Sequence, residues 1–168
     1  STVWTEAITR FVINEDTGKV EIHGVTRDIT ARRKAEGDYQ VLFREMVEGF
    51  ALHEIICDEK GAPVDYRFLA VNPAFERMTG LSADEISGKT VLEVLPGTEH
   101  CWIETYGKVA LTGEPVFFDN YSGEIDRHFS VAAFRPEAGQ FACIFMDVTE
   151  SKKAEESLKE AMERLRRV

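Results

Sequence analysis

The residues best suited to chemistry in this sequence are its histidines and cysteines, and the first set to consider is His53-Glu54-Ile55-Ile56-Cys57. This segment has the His-Glu start of the zinc-binding pattern His-Glu-x-x-His, but Cys57 stands where the second histidine belongs. The segment also reads as a strand, on which residues four positions apart do not form the helical face that two zinc ligands require. We therefore expect no metalloprotease site here.

No other catalytic set is found in the sequence. The serines lie in turn-like segments, and neither a Gly-x-Ser-x-Gly motif nor a glycine-rich phosphate loop occurs. Cys57, Cys101 and Cys143 are widely spaced without a Cys-x-x-Cys pair, so we expect neither a zinc site nor a disulfide framework. Free thiols in apolar surroundings are typical of a reducing compartment. The sequence therefore predicts a cytoplasmic, non-enzymatic domain without a metal site.

The composition is acidic: 20 Lys and Arg against 30 Asp and Glu give a formal net charge of −10. A phosphate backbone is bound by a basic face, so this balance argues against a nucleic-acid partner. No apolar run approaches the roughly 18 residues that span a bilayer, so we expect no insertion into a membrane. These properties suit a protein that works by contacting other proteins.

An internal repeat is the clearest sign of domain organisation. Residues 25–36 read Val-Thr-Arg-Asp-Ile-Thr-Ala-Arg-Arg-Lys-Ala-Glu, and residues 144–155 read Ile-Phe-Met-Asp-Val-Thr-Glu-Ser-Lys-Lys-Ala-Glu. Asp28-Ile29-Thr30 of the first copy matches Asp147-Val148-Thr149 of the second. Each copy follows two apolar runs separated by a turn signal, which is the pattern of a β-hairpin. A repeat separated by about one small-domain length indicates tandem copies of one module.

The repeat sets the expected domain boundaries. We expect four parts: the terminal hairpin of a preceding module (1–30), a linker helix (31–47), one complete module (48–148) and a departing C-terminal helix (149–168). The body of the earlier module would precede residue 1. Adjacent domains of the same chain are therefore expected partners of the complete module.

The complete module is predicted to belong to the α+β class. Its predicted strands cover residues 52–57 and 64–71 and, after several short helices, residues near 115–121, 126–134 and 140–147. This order places the helices on one face of a five-stranded antiparallel sheet.

Capping residues mark where the helices of this module begin and end. Asn72 is suited to cap the first short helix, with Pro73 at its first position, and Gly80 ends it. A second short helix begins after Ser82, with Glu85 placed for a capping box. A longer helix is predicted over residues 98–112 and ends at a glycine.

In this order the residues resemble the PAS family of sensory domains. The matching landmarks are Asn72-Pro73-Ala74-Phe75, Met78-Thr79-Gly80, Leu81-Ser82, Glu85-Ile86, Gly88-Lys89, Leu95-Pro96, Leu111-Thr112-Gly113-Glu114-Pro115 and the terminal Asp147-Val148-Thr149-Glu150. The resemblance covers about residues 40–155, and residues 1–36 resemble the tail of a second copy. Each landmark is weak by itself, but the ordered set is specific.

The resemblance implies a five-stranded antiparallel sheet with helices over one face that enclose a small cavity. PAS domains of prokaryotic signalling proteins, such as sensor histidine kinases or diguanylate cyclases, sense ligands, redox state or light, or simply dimerise. The expected cavity walls here are Phe68, Phe75, Met78, Ile103, Tyr106, Phe129, Val131 and Phe145. The walls name no ligand, and a filled interior without one remains an alternative.

Haem is one cofactor that the resemblance allows, since some PAS proteins bind it through a histidine of the long helix. His100 lies near the start of that helix and is the candidate ligand. At about 100° per residue it points away from the apolar helix face around Tyr106, which favours an exposed histidine instead. Flavin photochemistry needs a cysteine-containing helix motif that residues 85–95 lack. The sequence requires no cofactor.

The C-terminal helix has a single narrow apolar stripe. The residues of this stripe follow heptad spacing and are Ala154, Leu158, Ala161, Leu165 and Val168. A helix this polar buries little against its own domain, so we expect a homodimeric coiled coil along the stripe. Packing of the stripe back onto the sheet is the alternative.

The Asp-x-Thr motif is the expected signal relay between the sheet and this helix. Thr149 is suited to cap the helix with its hydroxyl, and Asp147 can accept backbone N–H groups or pair with Lys152 or Lys153. Two functions follow from the whole pattern. One is a sensor that binds a small ligand and passes its state through the helices to an output domain, and the other is a ligand-free dimerisation and signal-transmission module.

Overall fold

A two-stranded hairpin followed by a helix occupies the first part of the chain. The computed structural model describes residues 2–166 and divides after Phe43 into two units. The first unit contains β1 (Thr5–Ile13), β2 (Val20–Asp28) and most of α1 (Thr30–Glu45). The helix predicted over residues 31–47 is therefore present, with bounds shifted by one or two residues.

Turn chemistry at Asn14 closes the hairpin. The Asn14 carboxamide oxygen accepts the N–H groups of Asp16 and Thr17, each at 3.0 Å, which holds the turn in place. Strands β1 and β2 pair in antiparallel register along their whole length. Every residue of both strands is exposed, so the hairpin has no core of its own within the first unit.

The second unit contains one antiparallel sheet of five strands. Its strands are β3 (Gly49–Cys57), β4 (Pro63–Val71), β5 (Val116–Ser122), β6 (Arg127–Phe134) and β7 (Gln140–Asp147). They lie side by side in the order β4-β3-β7-β6-β5, so the first and last strands in sequence are neighbours in the middle of the sheet. This arrangement confirms the predicted α+β fold and its five-stranded sheet.

The helices of the second unit connect the two halves of this sheet. They are α2 (Pro73–Thr79), α3 (Ala83–Ile86), α4 (Val91–Val94), α5 (His100–Thr112) and the departing α6 (Thr149–Arg166). Helix α5 buries Ile103, Tyr106 and Val109 against the sheet. The core is formed by these side chains and by strand residues that share the same face, such as Phe68 and Phe141.

Asn72 fastens the start of α2 to the sheet. Its side chain is fully buried, and its carboxamide oxygen accepts the N–H groups of Phe50 and Phe75, each at 2.9 Å. The amide group donates to the carbonyl of Glu48 at 3.0 Å. Asn72 is therefore the helix cap that the sequence predicts and also a link between α2 and strand β3.

The capping box lies one helix later than the sequence predicts. Ser82 makes no side-chain capping bond to α3; instead the carboxylate of Glu76 in α2 accepts the Ala83 N–H at 2.7 Å. The box is formed at α4, where Thr90 and Glu93 exchange hydrogen bonds with each other's backbone. The prediction for Glu85 was wrong because a neighbouring helix supplies the acceptor that a local cap would have given.

We expect Asn72→Ala to lower the free energy of unfolding by about 2–4 kcal/mol, because it removes three buried hydrogen bonds and leaves their backbone partners unpaired. The matched control is Ser82→Ala, which removes a helix-start hydroxyl without a capping bond and should change stability by less than about 0.5 kcal/mol. Urea unfolding of both variants measures the difference. Equal effects at the two positions would contradict the assignment.

Candidate functional site

A cavity of about 80 Å³ lies between the sheet and the helices of the second unit. A volume of this order holds several water molecules or one small ring. Aromatic side chains dominate its walls, namely Tyr66, Phe68, Phe75, Trp102, Tyr106, Phe129 and Phe145. The interior of the domain is therefore apolar and incompletely filled.

Most of the predicted wall residues line this cavity. Those that do are Phe68, Phe75, Tyr106, Phe129, Val131 and Phe145. Met78 and Ile103 do not line it: Ile103 is 2% exposed within the core, and Met78 packs against that core. On α2 the wall residues are Phe75 and Thr79, and on α5 they are Trp102 and Tyr106. Met78 and Ile103 are the sequence neighbours of Thr79 and Trp102, so each points about 100° around its helix from that wall residue.

Ionised side chains are absent from the walls that the described residues form. The polar residues in those walls are His53, Tyr66, Thr79, Thr98, Tyr106, Ser122 and Cys143. Thr79 donates its hydroxyl to the Phe75 carbonyl at 2.8 Å, and Thr98 donates to the Leu95 carbonyl at 2.8 Å. Because these hydroxyls donate to their own backbone turns, they have no proton left to offer a ligand.

His53 is one of several wall residues that were not predicted from the sequence, and it differs from the others in having a buried, unpaired polar atom. Its side chain is 3% exposed and stacks on Phe141, with ring centroids 4.5 Å apart. Tyr66 meets the imidazole edge-on at 4.9 Å. The Nδ1 atom is buried without a hydrogen-bond partner among the described residues. A buried polar atom of this kind is uncommon in a folded protein and calls for a physical explanation.

Burial keeps the groups around His53 neutral. Desolvation lowers the pKa of His53 to about 3 and raises the pKa of Cys143 to about 12. It also raises the pKa values of Tyr66 and Tyr106 above their ordinary range. Each shift has the same cause, because removing water disfavours the charged form. The site is therefore uncharged at neutral pH.

His100 lies outside the cavity. It is the first residue of α5, and its Nε2 is 3.3 Å from the Glu104 carboxylate, with about two thirds of each side chain exposed. It belongs to no wall of the cavity. The structure thus gives no support to a haem iron bound by His100, and it agrees with the exposed position that helical geometry favours.

A compact set of hydrogen bonds attaches α6 to the sheet at Asp147, Val148 and Thr149. Asp147 Oδ1 accepts the Thr149 N–H at 2.9 Å, and the Thr149 hydroxyl accepts the His128 N–H at 2.9 Å. The Val148 N–H donates to the His128 carbonyl at 2.9 Å. Asp147 also pairs with the Arg127 guanidinium. We call these five residues the joint.

Two details of the joint differ from the sequence expectation. The Thr149 hydroxyl accepts from strand β6, not from a free N–H of the helix it begins, and the carboxylate of Asp147 takes the capping position. Asp147 pairs with Arg127 rather than with Lys152 or Lys153; Lys152 instead contacts Asp119 at 3.1 Å. The partners come from strands distant in sequence, so local spacing does not reveal them.

The partners of Asp147 in the joint determine the pKa of its carboxyl group. Partial burial acts to raise its pKa, but the hydrogen bonds from Thr149 and the pairing with Arg127 outweigh burial. The pKa of Asp147 therefore lies below its usual value. The carboxylate is ionised at neutral pH, as an acceptor at a helix start requires.

The first unit repeats the hydrogen bonds of the joint. Asp28 Oδ1 accepts the Thr30 N–H at 2.8 Å, and the Thr30 hydroxyl accepts the Trp4 N–H at 2.9 Å. The Ile29 N–H donates to the Trp4 carbonyl at 2.9 Å. The two copies of the sequence repeat therefore have the same local structure at the end of a hairpin and the start of a helix.

Comparison with known proteins agrees with this fold. The family described as "PAS fold" matches residues 64–153, which is more than half of the chain. The chain therefore belongs to the PAS fold family. No curated protein matches the sequence.

Solved structures with the same fold are distant in sequence. An RNA-binding light-oxygen-voltage receptor is 16% identical, with a TM-score of 0.53 over 99% of this chain and 44% of that chain. A domain of a sensory box sensor histidine kinase/response regulator from Geobacter sulfurreducens is 20% identical, with a TM-score of 0.48 over 71% of this chain and 99% of that chain. The PAS domain of an HTR-like protein from Haloarcula marismortui is 16% identical, with a TM-score of 0.49 over 68% of this chain and 98% of that chain. At these identities the likeness concerns the fold alone.

Three further observations concern residues 2–166. No group of three or more His, Cys, Asp or Glu side chains there is arranged to hold a metal ion. No helix in the same range combines the length and apolar character needed to cross a bilayer. The cysteines Cys57, Cys101 and Cys143 are free thiols.

We expect acid to destabilise the chain through His53. An unfolded histidine binds a proton below a pKa of 6.5, whereas folded His53 binds one only near pH 3. Stability is therefore lost as the pH falls from about 6.5 towards 3, and the loss amounts to about 2 kcal/mol by about pH 5. Urea unfolding at pH 7 and pH 5 measures it.

His53→Phe, which keeps a ring against Phe141, should remove about 2 kcal/mol of this pH dependence. His100→Phe is the control, because His100 is exposed and its replacement should leave the wild-type pH dependence in place. Parallel pH profiles for wild type and His53→Phe would contradict the prediction.

Proposed function

We propose that this PAS domain is a sensory relay of a prokaryotic signalling protein. A small molecule in the cavity shifts the joint, and α6 carries the shift to an output domain beyond residue 168. The domain itself performs no catalysis and acts in the cytoplasm. One observation carries the proposal: Phe129 in the cavity wall is the direct cross-strand partner of Asp147 in the joint.

The path from cavity to helix is short. Phe129 follows His128, whose N–H and carbonyl both bond to the start of α6. Phe145 lies two residues before Asp147 and packs edge-on against Phe129, with centroids 5.3 Å apart. A ligand that displaces either ring therefore moves backbone that is hydrogen-bonded to the helix. In this proposal the joint has two arrangements, and the ligand shifts the population of the domain towards one of them.

A second contact holds the first turn of α6 against the sheet. Lys152 pairs with Asp119 of strand β5 at 3.1 Å. Beyond this lysine the described part of the helix is exposed on every side, so the helix does not pack back on the sheet. Only its first turn is held by the domain, which suits a helix whose far end is held by something else.

We infer that this far end pairs with a second copy of the chain. The stripe residues Ala154, Leu158, Ala161 and Leu165 are exposed, with Leu158 at 62% and Leu165 at 78%, and Val168 lies outside the described residues. Heptad spacing without a partner inside the domain favours a parallel homodimer. Ala35, Tyr39, Leu42 and Met46 repeat the spacing after the first Asp-x-Thr. The first three lie in α1, which supports similar use of the linker helix, whereas Met46 follows its last residue, Glu45.

We further propose that residues 1–30 are the terminal hairpin of a preceding PAS module, with 31–47 as the linker helix, 48–148 as the complete domain and 149–168 as the signalling helix. The repeated joint supports this interpretation, because its bonds recur at a hairpin that has no sheet around it. The exposed apolar residues of that hairpin, among them Phe11 and Ile22, are consistent with a missing body.

A ligand-free module that only dimerises and transmits signals is the second candidate. The small size of the cavity favours it, since most of the interior is already filled by protein side chains. The two functions differ in what accompanies the purified protein. The sensor carries or takes up a small molecule, and the transmission module does not.

We expect the purified 168-residue chain to release a small molecule on denaturation, detectable by mass spectrometry and, for a coloured ligand, by visible absorption. Native mass spectrometry before denaturation should show the corresponding mass added to the folded chain. A protein that releases nothing and binds nothing from a screen of small metabolites would contradict the sensor and leave the transmission module.

We expect Leu158→Cys to form a disulfide-linked homodimer under mild oxidation, because the seam brings the same position of two helices together. The Cys101→Ser background removes an exposed native thiol that could cross-link by itself. Non-reducing electrophoresis measures the dimer fraction at high protein concentration, since about three heptads form a marginal coiled coil.

Glu163→Cys in the same background is the control, because it lies on the opposite face of the helix. Its dimer fraction should be several-fold lower. Equal cross-linking at both positions, or a strict monomer by sedimentation at high concentration, would contradict the proposed seam.

A further inference from the structure

We propose that the cavity binds a small, uncharged aromatic molecule carrying one hydroxyl group, which forms a hydrogen bond with Nδ1 of His53. The inference rests on the proposed ligand-sensing function and names the class of ligand and the residue that selects it. Among the described residues, Nδ1 of His53 is the single buried side-chain nitrogen or oxygen without a hydrogen-bond partner. The His53 side chain belongs to the wall of the cavity. Nδ1 itself has almost no accessible surface, so in this proposal a small turn of the imidazole ring brings it to the ligand hydroxyl.

The absence of charge in the described walls excludes an ionised ligand. A carboxylate, phosphate or ammonium group placed there would lose its hydration without gaining a counter-charge. The His53 imidazole is itself neutral, since burial holds its pKa at about 3, so it offers no positive charge to an anion. The ligand that this site accepts is therefore neutral.

A hydroxyl is the polar group that best fits a neutral imidazole. In one tautomer Nδ1 accepts a hydrogen bond, and in the other it donates one. A hydroxyl can donate or accept, so it satisfies Nδ1 in both tautomers, whereas a carbonyl or an N–H group fits only one. The hydroxyls of Thr79 and Thr98 already donate to backbone carbonyls. The hydroxyls of Tyr66, Tyr106 and Ser122 also belong to the wall, but among the described residues His53 presents the buried polar atom without a partner and is therefore the anchor we assign.

The rest of the wall favours a single aromatic ring. Phe68, Phe75, Phe129 and Phe145 form a chain of edge-to-face contacts, with centroids 5.3–6.0 Å apart. A ligand ring can extend this pattern with the same edge-to-face geometry, which adds to the simple burial of apolar surface. The volume of about 80 Å³ suits one small ring and not a large cofactor.

Phenol is the probe that tests the assignment, with toluene and benzoate as matched comparisons. Toluene has nearly the same shape without the hydroxyl, and benzoate carries a charge at neutral pH. Isothermal titration calorimetry on the full 168-residue chain gives the three dissociation constants. We expect phenol to bind more tightly than toluene and benzoate not to bind.

His53→Leu should reduce the preference for phenol over toluene by about tenfold or more, because the ligand hydroxyl then loses its imidazole partner. His53→Gln retains a hydrogen-bonding group and should restore part of the preference. His100→Gln, at an exposed histidine of the same domain, is the control and should leave it unchanged. In the wild type, phenol but not toluene should shift the ¹⁵N resonance of His53 Nδ1.

The outcomes separate this inference from the proposed function. Equal affinity for phenol and toluene, or a preference that survives His53→Leu, overturns the role of His53 but leaves a ligand-binding cavity. A co-purified ligand that is charged does the same, as does a crystal structure grown with phenol that has only water at Nδ1. If none of the probes binds and nothing co-purifies, both the inference and the sensory function fail.

Discussion

The second unit depends on one buried carboxamide that joins its sheet to its helices. The side chain of Asn72 uses its oxygen twice and its amide once, bonding to the backbone of α2 and to the backbone where the chain enters β3. A hydrophobic contact could fill the same space, but it could not satisfy three backbone groups where water is absent. Because α2 carries Phe75 and Thr79, the position of this helix also sets one wall of the cavity.

The joint solves a similar problem at the other end of the domain. A helix that leaves a sheet has unpaired N–H groups at its start. The neighbouring strand β6 extends past the end of β7, so the N–H of His128 has no residue of β7 to pair with. The carboxylate of Asp147 and the hydroxyl of Thr149 satisfy one group of each kind, which fixes the angle at which α6 departs. The same hydrogen bonds at Asp28 and Thr30 indicate that Asp-x-Thr forms the same local structure at both of its occurrences in this chain.

Features that depend on neighbouring residues in the sequence were predicted correctly. Features that depend on partners distant in the sequence were not. Asn72, Gly80 and Gly113 were correctly assigned because caps and left-handed glycines depend on a few neighbouring residues. The capping role of Ser82 and the partners of Asp147 were not, because they depend on side chains brought together by folding. The burial of the His53 side chain in the core was not predicted, for another reason. Its strand has apolar residues on both faces, so alternation gave no sign that a polar side chain faced the core.

The unpaired Nδ1 atom of His53 gives a physical basis for a conformational change on ligand binding. A buried polar atom without a partner costs about 1–3 kcal/mol, so a hydrogen bond from a ligand to Nδ1 of His53 would contribute free energy of this order. A ligand that supplies the missing hydrogen bond recovers that energy only in the conformation where its hydroxyl meets His53. A difference of this size between two conformations shifts their ratio by about 5- to 150-fold, which is the usual range of coupling between sites. Under the proposed function, one hydrogen bond to His53 would therefore supply enough free energy to shift the balance between two arrangements of Phe129, Phe145 and the joint they adjoin.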